Sequence, residues 1–500
     1  MTLDADTCYR ALTARDARFD GRFFVAVTTT GIYCRPVCRA RTPGRERCRF
    51  YRSAAEAERA GFRACFRCRP ESAPGLAPLD ALPRLVARGL HRIDEGFLND
   101  HSVEDLAAAL GVTGRHLRRA FETVMGVTPI ELAQSRRLAL AKQLLHDTEL
   151  GVADVAFASG FRSLRRFNAS FQERFGCAPS RLRGPGADGD AGGAGGGRAG
   201  DGSAPALRLR LEYRQPFAWP ALLAFLRARA IPGVEHVTGD AYQRTVAGAG
   251  QGAAPGLVTV RADPARPALV AEVSPVLAGE LMSIATRLRR LFDLDADPLA
   301  IAEQLGRDPT LAPRVAAQPG LRVPGAFDAF ELIVRAVLGQ QVSVRAASTL
   351  AGRLAARFGT ALGDPAALPL THIFPRPEVL AAASISDVAA IGMPATRAAA
   401  LVNVATAFAT GAIALEPGAA VDDTLRDLES LPGIGPWTAQ YIVMRALHWP
   451  DAFPASDLGI RKALGGVTAR QASACAEPWR PWRAYAVIHL WHSLSQGIES

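Results

Sequence analysis

The chain reads as a multidomain α+β protein, mainly helical, and three features of its 500 residues carry that reading. Two close cysteine pairs, Cys34/Cys38 and Cys65/Cys68, lie near the N-terminus. A pattern of helix, glycine turn and helix with a basic face occurs twice between 85 and 183. Towards the C-terminus a Gly-x-Gly turn, Gly433 and Gly435, joins two helical runs. Composition marks the joints: GPGADGDAGGAGGGRAGDGSAPA is too poor in large apolar residues to bury a core, and ESAPGLAP at 71–78 is a shorter break. The expected segments are a cysteine module at 1–72, a tandem helix-turn-helix at 82–183, a flexible linker at 184–206, a small α+β domain at 207–314 and a helical domain at 315–496.

Charge is distributed unevenly. Residues 1–183 carry 30 Lys/Arg against 20 Asp/Glu and residues 184–500 carry 28 against 28, so the whole formal excess of +10 lies in the first third. A polyanion is expected to bind there. No stretch reaches the roughly 20 apolar residues needed to cross a bilayer, and the polar start MTLDADTCYR is unlike a secretory signal, so no membrane partner and a cytoplasmic, nucleoid-associated location are expected.

Each element follows from its residues. Cys34-x3-Cys38 and Cys65-x2-Cys68, 26 residues apart, have the arrangement that closes a tetrahedral thiolate site round one Zn²⁺ and predict a small zinc α/β module. Such a zinc either staples the fold or keeps one sulfur ionised and nucleophilic. Cys8, Cys48, Cys177 and Cys475 read as ordinary thiols in a reducing compartment. Ser102 with Asp105 predicts a capping box before VEDLAAAL; Gly111 supplies the turn, and Thr113 caps a helix with Leu117, Phe121 and Val124 inward and Arg115, His116, Arg118 and Arg119 outward. The second unit repeats this: VADVAFA, Gly160, then a helix from Ser163 with Leu164, Phe167 and Phe171 inward and Arg162, Arg165, Arg166 and Asn168 outward. Two such units in the basic third predict DNA binding through the second helix of each. RLRLEY, GLVTVRAD and ALVAEV read as short strands, and AFDAFELIVRAVLG as a core helix. Gly433 and Gly435 let backbone N–H groups approach a phosphate with no side chain in the way.

The words around these residues add a resemblance. TTTGIYCRPVCRAR with AGFRACFRCRP resembles the metal-binding domain of Ada-type adaptive-response regulators, and 85–183 resembles the AraC-type tandem helix-turn-helix that follows it there. That resemblance implies zinc on all four cysteines and Cys34 as the acceptor of a methyl group from a methylated DNA phosphate. Four thiolates on Zn²⁺ carry net charge −2, and methylating one removes a negative charge beside the backbone, which raises DNA affinity and links damage to transcription through RNA polymerase. Arg35, Arg39, Arg45, Arg47 and Arg67 are candidate phosphate contacts. The Pro-Cys-His-Arg word of the O6-alkylguanine methyltransferase is absent, so that reaction is not expected.

The C-terminal half is similar to the AlkA branch of the helix-hairpin-helix DNA glycosylases, through LESLPGIGPWTAQYIVMRAL, FPASDLGIRKAL, LRLEYRQPFAW, RLRRLFDLDADP, GLRVPGAFDAFELIVRAVLGQQVSV and RPWRAYAVIHLW. This implies a helix-hairpin-helix glycosylase domain acting on double-stranded DNA, Asp457 as the carboxylate opposing an oxocarbenium-like sugar, and Trp437, Tyr441 and Trp491 as an aromatic pocket for a cationic alkylpurine such as 3-methyladenine. Strand-cutting relatives carry a lysine two residues past the second hairpin glycine. Trp437 stands there, so a monofunctional enzyme is expected, with Lys462 a minor alternative. Gln341 occupies the position that wedges into the duplex, where the best-known AlkA word has leucine. A monomer is expected. The competing reading is a transcription regulator with purely structural zinc and a lesion-binding, non-catalytic C-terminal domain.

Overall fold

The computed structural model describes residues 4–75, 82–182, 206–248, 253–362 and 369–495. The linker expected at 184–206 lies, apart from its last residue, outside the described residues. Two compact units are present, one formed by 1–75, 85–212 and 247–286, the other by 76–84, 213–246 and 287–500.

The first unit begins with helix α1 (Ala5–Ala14), capped by Asp4, and strands β1 (Phe24–Val27) and β2 (Ile32–Cys34). Strand β3 (Cys48–Tyr51), helix α2 (Ala54–Arg59) and strand β4 (Arg63–Ala64) complete the cysteine module. Its sheet runs β3-β1-β2-β4, antiparallel except for the parallel β2/β4 pair. Cys8, Ala11, Leu12, Phe23, Val25 and Cys48 form one small core cluster, and Phe24, Ala26, Tyr33, Ala55, Ala57 and Ala64 are buried as well. Helices α3 (Arg84–Asp94), α4 (Val103–Ala109), α5 (Gly114–Met125), α6 (Pro129–Asp147), α7 (Val152–Ala158) and α8 (Leu164–Phe175) follow. The expected caps form: Asp105 N–H donates to Ser102 Oγ at 3.1 Å, Ser102 N–H to Asp105 Oδ2 at 2.9 Å, and His116 N–H to Thr113 Oγ1 at 3.3 Å. Gly111 and Gly160 adopt φ of +73° and +87°, the left-handed turn only glycine takes freely. Strand β5 (Leu207–Glu212) pairs with Ala268–Val273, which pairs with Gly256–Ala262, so the three strands read from sequence all form.

One inward expectation fails. Leu164 is 38% exposed, because it is the first residue of α8 and points off the end of the packed face. Phe167, Phe171 and Phe175 make the inner stripe instead, with ring centroids 5.5 and 4.5 Å apart, and Phe161 closes it at 5.1 Å from Phe167. Val124 of α5 is only partly buried, and Met125 takes the end of that stripe.

The second unit holds a helix Trp219–Arg229, a hairpin of Glu235–Val237 with Ala241–Val246, and a helical body from Pro298 onward. The hairpin was not legible in advance, because HVTGDAYQRTV is short and its polar residues break the alternation. The body is organised round Ala329–Leu338, buried along eight of its ten positions, with Val344–Phe358, Ala395–Ala409 and Pro436–Ala446 sharing its core. Burying that many aliphatic side chains, at about 1.5–3 kcal/mol each, gives a rigid frame for the turns that carry the chemistry. Among the described residues no helix is long and apolar enough to cross a membrane.

Candidate functional sites: a four-thiol cluster and a carboxylate in an aromatic wall

The parallel register Tyr33↔Ala64 sets the ends of β2 and β4 side by side, and Cys65 N–H donates to Tyr33 O at 3.0 Å. That brings Cys34 next to Cys65, while tight turns return Cys38 and Cys68. The four sulfurs all lie within 4.8 Å of one another. In a zinc tetrahedron with bonds of about 2.3 Å, sulfurs sit about 3.8 Å apart, so both donor chemistry and spacing fit one tetrathiolate zinc.

The cluster is tied to the helices. Tyr33, beside Cys34, donates its hydroxyl to Glu58 of α2 at 2.9 Å; Ser135 of α6 donates to the same carboxylate at 2.7 Å, and Arg174 of α8 forms an ion pair with it. Lys142 of α6, fully buried, lies 2.8 Å from Glu71 and over the rings of Phe66 and Phe175 at 4.7 and 5.6 Å. Neither link was foreseen: they join residues 25 to 116 positions apart, where no local pattern operates.

The arginines divide. Arg39, Arg47 and Arg67 are exposed, Arg47 close to Glu46 at 3.3 Å. Arg45 is half-buried, pairs with Asp6 at 3.3 Å and lies 5.3 Å over the Phe50 ring. Arg35 is buried: Nε donates to Asp20 at 2.8 Å, a second guanidinium nitrogen pairs with the same carboxylate, and Nη1 pairs with Glu212. Burial alone would lower its pKa; the two carboxylates outweigh that and hold it charged. On the helix-turn-helix units Arg115, Arg119, Arg162, Arg165, Arg166, His116 and Asn168 are exposed, and Arg118 is partly buried in an ion pair with Glu104.

In the second unit the helix Val421–Ser430, the turn and the helix Pro436–Ala446 form the hairpin. Gly433 has φ +93°, and a Cβ there would meet Ala400 Cβ at 2.6 Å; around Gly435, the N-cap, a Cβ meets nothing. Gly433 is therefore required by the turn, and Gly435 leaves open space before a helix N-terminus. Two residues on, Trp437 turns its indole N–H to Asp457 Oδ2 at 3.0 Å. Trp491, from Arg483–Ser495, donates to Asp457 Oδ1 at 2.9 Å, and Ile460 N–H donates to the same oxygen at 2.9 Å because Asp457 caps the helix Leu458–Ala463. Both oxygens are thus aimed. The Trp437 and Tyr441 rings stack at 5.4 Å and 10°, with Trp491 6.4 Å from Tyr441. The three expected aromatic residues form one cluster, and its two indoles also hold the Asp457 carboxylate, a role that stacking alone does not suggest.

Three residues missed in the sequence complete this site. Arg445, one turn past Tyr441, donates to its hydroxyl at 2.6 Å and to the carbonyls of Pro324 and Gly325 at 2.7 and 2.9 Å. Burial opposes ionisation of Tyr441, yet Arg445 and Arg229 draw its pKa below the ordinary phenol range. Gly459 lets Trp491 close on Asp457: a Cβ there would stand 3.1 Å from Asp457 Oδ1 and 3.3 Å from the indole. Gln340 donates to Gly433 O at 2.8 Å and to Thr438 Oγ1 at 3.1 Å, tying the Gln341 loop to the hairpin. The i,i+4 spacing of Tyr441 and Arg445 was the one available signal. Gln341 is exposed at φ +57°, and Lys462 is exposed on the short helix that Asp457 caps.

A four-thiol zinc site beside paired helix-turn-helix units, followed by a helix-hairpin-helix body with an aimed carboxylate, defines a DNA-binding regulator joined to a base-excision repair enzyme. Family models match all four parts: the metal binding domain of Ada at 7–71, a helix-turn-helix domain at 106–184, the AlkA N-terminal domain at 208–328 and the HhH-GPD superfamily base excision DNA repair protein at 334–474. The chain is 42% identical over 500 residues, 99% of its length and 97% of the relative's, to a Mycobacterium tuberculosis protein described as "Probable bifunctional transcriptional activator/DNA repair enzyme AlkA". It belongs to that family of bifunctional activators and repair enzymes. Its C-terminal part is 38% identical over 283 residues to the DNA-3-methyladenine glycosylase 2 of Escherichia coli, covering 57% of this chain and 96% of that one. Its N-terminal part is 31% identical over 180 residues to the bifunctional transcriptional activator/DNA repair enzyme AdaA of Bacillus subtilis, covering 36% of this chain and 82% of that one.

Proposed function

We propose that this chain takes a methyl group from DNA methyl phosphotriesters onto Cys34, switches on promoter binding by doing so, and excises N-alkylated purines such as 3-methyladenine through Asp457. Zinc, when bound, keeps the cysteine thiols ionised at neutral pH. The Cys34 sulfur attacks the methyl carbon; the S–C bond forms, the C–O bond breaks and the phosphodiester keeps the electron pair. The sulfur ends as a neutral thioether, so the step happens once per chain and lowers the negative charge facing the backbone. The exposed arginines of α5 and α8 supply the groove contacts, and the activated protein, acting as a monomer, engages RNA polymerase. A DNA-facing protein of this kind works in the cytoplasm at the nucleoid.

For the glycosylase, the observation that carries the reading is the Asp457 carboxylate, held by two indole N–H groups at the edge of an aromatic stack. A flipped alkylpurine is cationic and stacks on such rings; as its glycosidic bond breaks, the sugar becomes positive and Asp457 opposes that charge. Water completes hydrolysis. With Trp437 in place of a Schiff-base lysine, the product is an abasic site.

Trp437→Phe and Trp491→Phe keep an aromatic ring and remove one carboxylate hydrogen bond each. Bonds to charged groups contribute about 1.5–3 kcal/mol, so each variant is expected to lose about 10- to 100-fold in the single-turnover rate of 3-methyladenine release. Duplex affinity should stay close to that of the parent. Equal losses in affinity and rate would assign the indoles to binding alone.

A further inference from the structure

Strand β5, the first strand after the linker, shares the first unit with the zinc cluster and the helix-turn-helix helices. Leu207, Leu209 and Leu211 are buried, so the intervening Arg208, Arg210 and Glu212 lie on the opposite side of the strand. Two of those three reach N-terminal modules. Arg210 pairs with Asp147, the last residue of α6, at 3.3 Å, where Arg69 of the cysteine module also arrives at 3.4 Å. Gln143 of α6 donates to the Arg210 carbonyl at 3.0 Å. Glu212 pairs with Arg35, the residue next to Cys34.

The Arg35 guanidinium is used unevenly. Asp20, from the same module, takes Nε and Nη2, a fork that positions the side chain against the cluster. Nη1 carries the contact to Glu212 and a long one to Cys68 O at 3.4 Å. The Arg35 backbone N–H also faces Cys68 Sγ at 3.4 Å, so the residue is fixed to the thiolate site at both ends. One guanidinium thus faces two carboxylates beside a cluster of thiols. A phosphate entering this place meets repulsion, and the guanidinium edge it would use is occupied by an anion of similar hydrogen-bonding geometry.

We propose that Glu212 is an intramolecular stand-in for a DNA phosphate at Arg35 Nη1, so that β5 restrains the Cys34 module until the backbone displaces it. The inference rests on the reading that this module engages DNA phosphates. It assigns a regulatory task to a residue of the glycosylase half: engagement of the backbone at Cys34 frees the end of β5, and a bound β5 keeps the unmethylated protein weak on undamaged DNA.

The test uses zinc-loaded full-length protein and an undamaged duplex in fluorescence anisotropy across a salt series. E212Q removes the charge and keeps the shape; it is expected to bind about 3- to 10-fold more tightly near 0.1 M salt, with one additional phosphate contact steepening the slope of log K against log salt by about 0.9. Its rate of 3-methyladenine release should match the parent, which shows that the second unit is intact, and its methyl acceptance on Cys34 shows that the first unit is folded. R35Q/E212Q should return to the affinity of R35Q alone, because the gain runs through Arg35. An E212Q affinity and salt slope equal to the parent's, in protein that still accepts a methyl on Cys34, would overturn the lock and leave the sensor reading intact. Failure of Cys34 to accept a methyl in both proteins would instead remove the reading beneath it.

Discussion

Replacing Asp457 with asparagine is expected to lower base release from alkylated DNA by about 10²- to 10³-fold, the range lost when one preorganised electrostatic group is removed from a transition state. The geometry makes the change worse than loss of charge. Each Asp457 oxygen accepts an indole N–H, at 3.0 Å from Trp437 and 2.9 Å from Trp491. Asparagine offers one acceptor and one NH₂, so one indole would face a donor, and the amide would rotate or withdraw. Binding of the alkylated duplex, which depends on the hairpin and the aromatic wall, should stay within about twofold. Single-turnover assays with a methylated duplex separate the two quantities. Retained base release would return the C-terminal half to a lesion-binding role and remove Asp457 from the chemistry.

Loss of zinc should be the largest effect on stability. The apolar residues packed round the β3-β1-β2-β4 sheet, among them Cys8, Ala11, Leu12, Phe23, Val25 and Cys48 on one side and Phe24, Ala26, Tyr33, Ala55, Ala57 and Ala64 besides, include many small side chains, a modest core for about 70 residues. Structural zinc in small domains contributes on the order of 10–16 kcal/mol of apparent binding free energy, which is also folding free energy. Chelation, or Cys38→Ala, is therefore expected to expose 4–75 to limited proteolysis while 3-methyladenine release by the second unit persists. The helix-turn-helix should lose DNA affinity as well, since Glu58 of the zinc module holds Ser135 and Arg174, and Glu71 holds Lys142. Protease resistance unchanged by chelation would show that the cluster is dispensable for the fold.

Local chemistry made much of this readable from sequence. Cysteine spacing announces a thiolate site because tetrahedral geometry needs two close pairs. Ser102 and Thr113 announce helix starts because orphan N–H groups need acceptors. Gly433 announces a tight turn, and its φ of +93° is one that other residues rarely adopt. What stayed hidden depends on which groups meet across long separations. The contact of Arg35 with Glu212 spans 177 positions, and alternation in LRLRLE shows that β5 has a polar side but not what that side meets. Arg35 reads as a candidate phosphate contact because it sits in a basic run, and the run carries no sign of the two carboxylates that fold onto it. Trp437 and Trp491 read as stacking rings because ring chemistry is visible in a residue name, whereas the direction of an indole N–H is set by tertiary packing. Leu164 misled for a smaller reason: at the first turn of a helix the inward stripe is not yet closed by neighbours.

One chain is proposed to join damage sensing at Cys34 to base excision at Asp457, and methyl transfer to Cys34 is the step that makes it a sensor. Peptide-resolved mass spectrometry of the zinc-loaded protein, after exposure to duplex DNA carrying methyl phosphotriesters, tests it directly. The predicted result is one added methyl group on the Cys34 peptide and none on those of Cys38, Cys65 or Cys68. An unmodified Cys34, with zinc and DNA binding intact, would contradict it and reduce the N-terminal third to a constitutive DNA-binding module attached to a glycosylase.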